Sequence, residues 1–160
     1  MIIAIDGLAG SGKSSTAKLV ANRLGYSYFT TGKMYRAITK YAIINNLLGN
    51  LPHSIEKIIN QINISITGTN FNKIVINNSD YSSDLYSEEI NQYIGILSSM
   101  PSVRSKMVKI QREVGKKNNI ICEGRDIGTE IFPQAKIKIF MWADAKVRAE
   151  RRCLQIKKKG

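Results

Sequence analysis

Ile2 to Asp6 is an apolar run without alternation, and it stops at Gly7-Leu8-Ala9-Gly10-Ser11-Gly12-Lys13-Ser14, after which Ala17, Val20, Ala21 and Leu24 recur at helical spacing. An unalternating run of that kind suits a parallel strand covered on both faces. Gly25 supplies the C-terminal stop of the helix. The order is therefore strand, glycine-rich turn, helix, and the turn fits the phosphate-loop pattern G-x-x-x-x-G-K-[ST]. Its glycines let successive backbone N–H groups turn inward around a phosphate, and the helix adds its positive N-terminal dipole. Lys13 can then reach the β and γ phosphates of ATP. Gly7, Leu8, Ala9, Gly10, Ser11, Gly12, Lys13, Ser14 and Ser15 are the expected ATP-binding residues, with the Ser14 hydroxyl on Mg²⁺. The pattern speaks for a nucleotide and is silent about any second substrate.

Beyond this opening, a short apolar stretch at Tyr26 to Phe29 leads into a helix with Met34, Ala37, Ile38, Tyr41 and Ala42 on one face, between Gly32 and Gly49. The period then changes. Ile62, Ile64 and Ile66 alternate, Gly68-Thr69-Asn70 breaks the run, and Ile74 and Ile76 alternate again, which predicts a hairpin. Helical spacing returns with Ile90, Ile94 and Leu97 behind a Ser87 cap. It returns again with Val103, Met107, Ile110 and Val114, with Pro101 in the first turn. Apolar runs at Ile120 to Cys122 and Ile137 to Trp142 precede a last basic helix from about Asp144. Strands alternating with helices imply an α/β fold: a mostly parallel sheet of P-loop NTPase type flanked by helices, with a small antiparallel insert at about 62–86. One domain over residues 1–160 is expected.

Charge narrows the partners. Lys and Arg number 24 against 12 acidic residues, a formal charge of +12 that favours an anionic partner. The runs Lys116-Lys117 and Lys157-Lys158-Lys159 read as solvated helix ends. There is no aromatic stacking motif for nucleic acid, and no apolar run approaches the roughly 20 residues of a membrane span. Met1 to Ile5 is too short for a signal-peptide core, and Cys122 and Cys153 have neither metal nor redox spacing. A nucleotide partner, no nucleic acid, no membrane and a cytoplasmic setting are expected. His53, after Pro52, reads as a solvated loop residue.

Two further blocks narrow the chemistry. In Thr30-Thr31-Gly32-Lys33-Met34-Tyr35-Arg36-Ala37, Thr31 and Gly32 can offer a hydroxyl and an N–H at a helix N-terminus, and Arg36 offers a planar fork for a second phosphate. Taken alone, the same residues also make an ordinary N-cap and a surface arginine. Glu123-Gly124-Arg125-Asp126-Ile127-Gly128-Thr129 follows an apolar strand, so its acid and arginine fall at the strand's C-terminal end, where open α/β sheets bind ligands. Glu123 is then expected behind the Mg²⁺ ion as a Walker-B-like acid.

With these blocks the sequence resembles bacterial-type cytidylate kinase. The match comprises D-G-x-x-G-S-G-K-S, T-G-x-M-Y-R-A, P-x-V-R at Pro101 to Arg104, and G-R-D-I-G-T-x-I-F-P at Gly124 to Pro133, continuing through Arg148-Ala149-Glu150-Arg151-Arg152. Its last two blocks are the specific part, since adenylate, thymidylate and shikimate kinases share the phosphate loop without them. The resemblance implies transfer of the ATP γ-phosphoryl group to CMP or dCMP, a step of pyrimidine nucleotide metabolism. It implies Lys13, Arg36 and Arg125 in catalysis, Thr31, Arg36 and Arg125 on the acceptor phosphate, and Arg104 and Asp126 reading the nucleoside. Leu8 departs from the loop's usual proline, Tyr86 stands where the family commonly has an arginine, and Gly95 stands where some members carry a serine close to the cytosine. The family continues past Gly160 into a lid and a last strand, so a separate C-terminal segment is an expected partner, and the complete protein is expected to be a monomer. Arg148, Arg151 and Arg152 lie where that lid begins. A phosphate-facing position and a solvated basic face are both open to them. A phosphate-loop kinase for another acceptor, or a non-catalytic nucleotide-binding remnant, also stays open.

Overall fold

From its first residues the chain builds β1 (Ile2–Gly7), α1 (Lys13–Leu24) and β2 (Ser27–Thr30). Next come α2 (Gly32–Ile44), α3 (His53–Ile58), β3 (Ile64–Thr67), β4 (Lys73–Ile76), β5 (Ser79–Asp80), α4 (Glu88–Ser99) and α5 (Pro101–Lys116). It finishes with β6 (Ile120–Gly124), β7 (Ile137–Met141) and α6 (Ala145–Lys157). The computed structural model describes residues 1–116 and 119–157. Lys117, Lys158 and Lys159 of the basic runs therefore lie outside the described residues, while Lys116 is exposed at the end of α5. The chain forms two units, one of Met1–Thr30 with the described part of Lys117–Gly160, the other of Thr31–Lys116.

In the first unit four strands make a wholly parallel sheet in the order β2, β6, β1, β7. Ala4 lies opposite Cys122 on one side and Lys138 on the other. The unalternating runs in β1 and β6 are buried, as a sheet covered on both faces requires. Small residues on α1 let it lie close to the strands: Ala17 and Ala21 join Ile3, Ile5, Tyr28 and Ile121 in the core. Gly25 ends α1 in the left-handed conformation, φ 65°, and the Tyr26 N–H returns to the Ala21 carbonyl at 2.9 Å, a Schellman closure. β7 differs. It is a sheet edge, ends at Met141 rather than Trp142, and leaves Phe140 66% and Trp142 73% exposed. Between β6 and β7, Ile127–Ile131 forms a single π-helical turn that no periodicity in so short a segment announces.

The second unit holds the predicted hairpin, with Ile64 opposite Ile76 and Ile66 opposite Ile74. Gly68 (φ 81°), Asn70 (φ 56°) and Phe71 (φ 53°) supply the positive φ values of its turn. β5 adds a third antiparallel strand too short for sequence to reveal. Ile62 is buried but precedes the strand, where its N–H bonds the Ile58 carbonyl at 3.0 Å. The loop reading of His53 is corrected: His53 opens α3, although its side chain is exposed as expected. α3 is held by Ile55 and Ile59, both fully buried, and six residues are too few to display a helical period. Ser87 caps α4, accepting the Ile90 N–H at 3.3 Å, and Pro101 opens α5. Among the described residues, no helix is long and apolar enough to cross a membrane.

Candidate active site

The glycines of the phosphate loop are dictated by space. A Cβ on Gly7 would lie 2.4 Å from the Met141 carbonyl oxygen, and one on Gly10 (φ +77°) would lie 2.7 Å from that of Arg148. Gly12 is left-handed at φ 96° as it leads into α1. The Leu8 carbonyl accepts from the Ser11 N–H and from Lys13 Nζ, each at 3.2 Å, which folds the loop on itself. The Leu8 side chain is exposed, so a proline's absence there costs the loop no packing. Ser11 Oγ is buried without a hydrogen-bond partner. An orphaned hydroxyl inside an anion-binding loop is a donor ready for a phosphate oxygen.

Behind the loop, parallel pairing places Glu123 of β6 beside Ile5 on one side and Thr30 on the other. Its carboxylate is buried. Ser14 Oγ donates to Glu123 Oε1 at 2.9 Å, the Tyr28 hydroxyl donates to the same oxygen at 3.0 Å, and Lys13 Nζ stands 4.0 Å from Oε2. Burial lowers the Lys13 pKa, an effect that Glu123 opposes and Arg125 reinforces. Burial and then the Glu123 charge push the Tyr28 phenol far up, so Tyr28 is a fixed donor at neutral pH. Ser14 and Glu123 together form a hard oxygen pair. Among the described residues no group of three His, Cys, Asp or Glu side chains could hold a metal. A Ser–Glu oxygen pair is the kind of donor set with which Mg²⁺ binds, through one or two protein oxygens plus substrate phosphates and waters. Tyr28 escaped the sequence reading because its partner lies on another strand, 95 residues away.

Arg125 and Asp126 lead from β6 into the π-helical turn, Arg125 exposed and Asp126 half-buried. The Asp126 carbonyl accepts from the Glu130 and Ile131 N–H groups at 2.9 and 3.2 Å. The Asp6 carboxylate accepts from the N–H groups of Ile127 and Gly128. α6 begins at a cap in which Asp144 Oδ1 accepts the Lys146 N–H at 2.8 Å. Of its three arginines, Arg151 donates to the Gly10 carbonyl at 3.2 Å, while Arg148 Nε folds back to the Ala143 carbonyl at 3.0 Å and Arg152 is half-buried. A pocket of about 510 Å³ opens here, lined by Gly10, Ser11, Gly12, Ser15, Thr16, Met141, Arg151 and Leu154.

Thr31, Arg36 and Arg104 belong to the second unit. Thr31 is buried at the N-cap of α2, and Arg104 is half-buried in the first turn of α5. Arg36 Nη1 donates to the Leu85 carbonyl at 2.9 Å and to Asn91 Oδ1 at 3.0 Å, and its guanidinium lies 4.5 Å from the centre of the Tyr86 ring. Tyr86 thus serves Arg36 as an aromatic platform. Gly95 is exposed within α4, and a Cβ there would meet nothing within 4 Å.

The family model described as Cytidylate kinase matches residues 3–160. A cytidylate kinase of Fusobacterium nucleatum subsp. nucleatum is 43% identical over 95% of this chain and 68% of its own length. One of Clostridium botulinum (strain Hall) is 41% identical over 99% of this chain and 71% of its own length. A bifunctional pantoate ligase/cytidylate kinase of Prochlorococcus marinus is 40% identical over 99% of this chain, which spans 31% of that longer protein.

Proposed function

The chain belongs to the cytidylate kinase family, and from that premise we propose that residues 1–160 act as one nucleoside monophosphate kinase domain. In this reading it transfers the γ-phosphoryl group of ATP to CMP or dCMP, giving CDP or dCDP, in a cytoplasmic setting. The carrying observation is the gathering of Lys13, Ser14 and Tyr28 around the buried Glu123 carboxylate behind a glycine loop with an unpartnered Ser11 hydroxyl. Ser14 would hold Mg²⁺ with Glu123 behind it, and the ion when bound would offset the negative charge of the β and γ phosphates.

The acceptor is itself a phosphate, largely dianionic at neutral pH given a second pKa of about 6, so the reaction needs no general base. The protein's work is alignment and charge neutralisation. Loop amides and Lys13 hold the donor phosphates. Thr31, Arg36 and Arg125 bind the acceptor phosphate, while Arg104 and Asp126 read the nucleoside. Tyr28 fixes the Glu123 carboxylate so that Ser14 and Lys13 keep their orientation in the absence of nucleotide. The test is product identity: γ-labelled ATP is incubated with equimolar CMP, AMP and GMP, and the nucleotides are separated. Label on CDP, lost in Lys13→Ala, is the expected result. Label on a purine diphosphate, or released only as inorganic phosphate, contradicts the reading.

A further inference from the structure

The phosphate-binding chemistry leaves one buried carboxylate of the first unit without a task. Asp6 ends the apolar run of β1 and is 9% exposed. Each of its oxygens takes one backbone donor: Oδ1 the Ile127 N–H at 2.6 Å, Oδ2 the Gly128 N–H at 2.8 Å. Both donors open the π-helical turn of Ile127–Ile131, where N–H groups have no partner within the turn itself. An anion across a helical N-terminus is favoured by those amides together, and bonds to an ionised acceptor are about twice as strong as neutral ones. Gly128 leaves the contact uncrowded. A Cβ there would stand 3.3 Å from Asp6 Oδ2 and 3.1 Å from Lys138 Cδ.

We propose that Asp6 is a positioning residue that ties the Arg125–Asp126 segment to the strand carrying the phosphate loop. Arg125 and Asp126 immediately precede the two clamped amides, and Asp6 immediately precedes Gly7. One side chain therefore sets the distance between the donor cradle and the residues that the functional reading above, on which this inference rests, gives to the acceptor. Asp6→Asn keeps the shape but turns an N–H₂ group towards one of the two amides, replacing an attraction with a donor facing a donor.

The experiment titrates the chain and Asp6→Asn with CMP and with Mg·ATP, alone and in the Arg125→Ala background. Loss of one charge-assisted bond predicts roughly tenfold weaker CMP binding, with Mg·ATP affinity held within about twofold. The Asp6→Asn effect on CMP should shrink in the Arg125→Ala background, because the two substitutions act through one contact. Equal losses for both nucleotides, no loss for either, or strict additivity with Arg125→Ala overturns the proposal. Gly128→Ala, which crowds the same contact, decides the matter by the same criteria if Asp6→Asn does not fold. Should the parent chain bind no CMP, the functional reading fails separately, and amide hydrogen exchange decides the clamp. Protection of Ile127 and Gly128 that Asp6→Asn abolishes supports it, and protection unchanged by the substitution overturns it.

Discussion

The surroundings of Glu123 and those of Arg36 hold a charged side chain by opposite means. Glu123 is buried, receives two hydroxyl donors on one oxygen, and has Lys13 4.0 Å from the other. Removing a member of such a cluster takes a donor from a buried carboxylate that water does not readily reach, the expensive direction of the hydrogen-bond balance. Arg36 is only half-buried and rests on an exposed tyrosine ring, a backbone carbonyl and an exposed asparagine. Each of those contacts can be exchanged for water or for a ligand oxygen at small cost. A residue that prepares a site in advance suits the first environment. A residue that must turn its fork onto an incoming phosphate suits the second.

Substitutions in the two regions should therefore differ in size and in what they disturb. The largest effect is expected at the Glu123 cluster: Lys13→Ala deletes a charge-assisted phosphate contact of about 1.5 to 3 kcal/mol, or roughly 10- to 150-fold in the Kd for Mg·ATP by titration. Unchanged ATP affinity would place the nucleotide elsewhere. Tyr28→Phe removes one of the two hydroxyls on Glu123 Oε1 and should lower folding stability by about 1.5 kcal/mol, read from the urea midpoint at constant slope. A loss under about 0.5 kcal/mol would show that Ser14 alone satisfies that oxygen, and the contrast with Arg36 would weaken.

On the Arg36 side, Tyr86→Ala deletes a cation–π contact worth about 0.5 to 1 kcal/mol at an exposed position, so CMP affinity should fall only about two- to fivefold with ATP affinity unchanged. A loss as large as that of Lys13→Ala would show that Arg36 is as rigidly prepared as Glu123. The smallest change has the opposite sign. Gly95 sits inside α4 with open space around it, so Gly95→Ala should raise stability by about 0.5 kcal/mol in thermal melts. Destabilisation there would mean that the space is occupied when the chain is in solution.

Legibility in the sequence followed the range of the interactions. β1, the glycine loop and α1 could be read directly because each is specified by adjacent residues: an apolar run, glycines at the positive φ of a tight turn, and small residues at helical spacing. The Ser87 cap and the Pro101 helix start are equally local. What escaped depends on which strands lie side by side. Tyr28 reaches Glu123 only because β2 pairs with β6, and Asp6 reaches Ile127 and Gly128 across more than 120 residues. β6 and β7 are both apolar, yet β6 is interior to the sheet and buried while β7 is an edge and exposed. Composition does not record that difference; only the resemblance, whose family places a further strand beside Ile137 to Trp142, implied an exposed edge there. Tyr86 in place of the family's common arginine could be noticed, but its use as a platform for Arg36 needed the side-chain geometry.

The central claim, a donor cradle coupled to a pyrimidine acceptor site, is tested most directly by competition binding of CMP, dCMP, UMP, AMP and GMP to the chain saturated with a non-hydrolysable Mg·ATP analogue. CMP and dCMP should bind ahead of both purine nucleotides. UMP should be discriminated less sharply, because Gly95 offers no side-chain hydroxyl and a missing polar contact relaxes selection between close relatives. A purine monophosphate binding best would contradict the account.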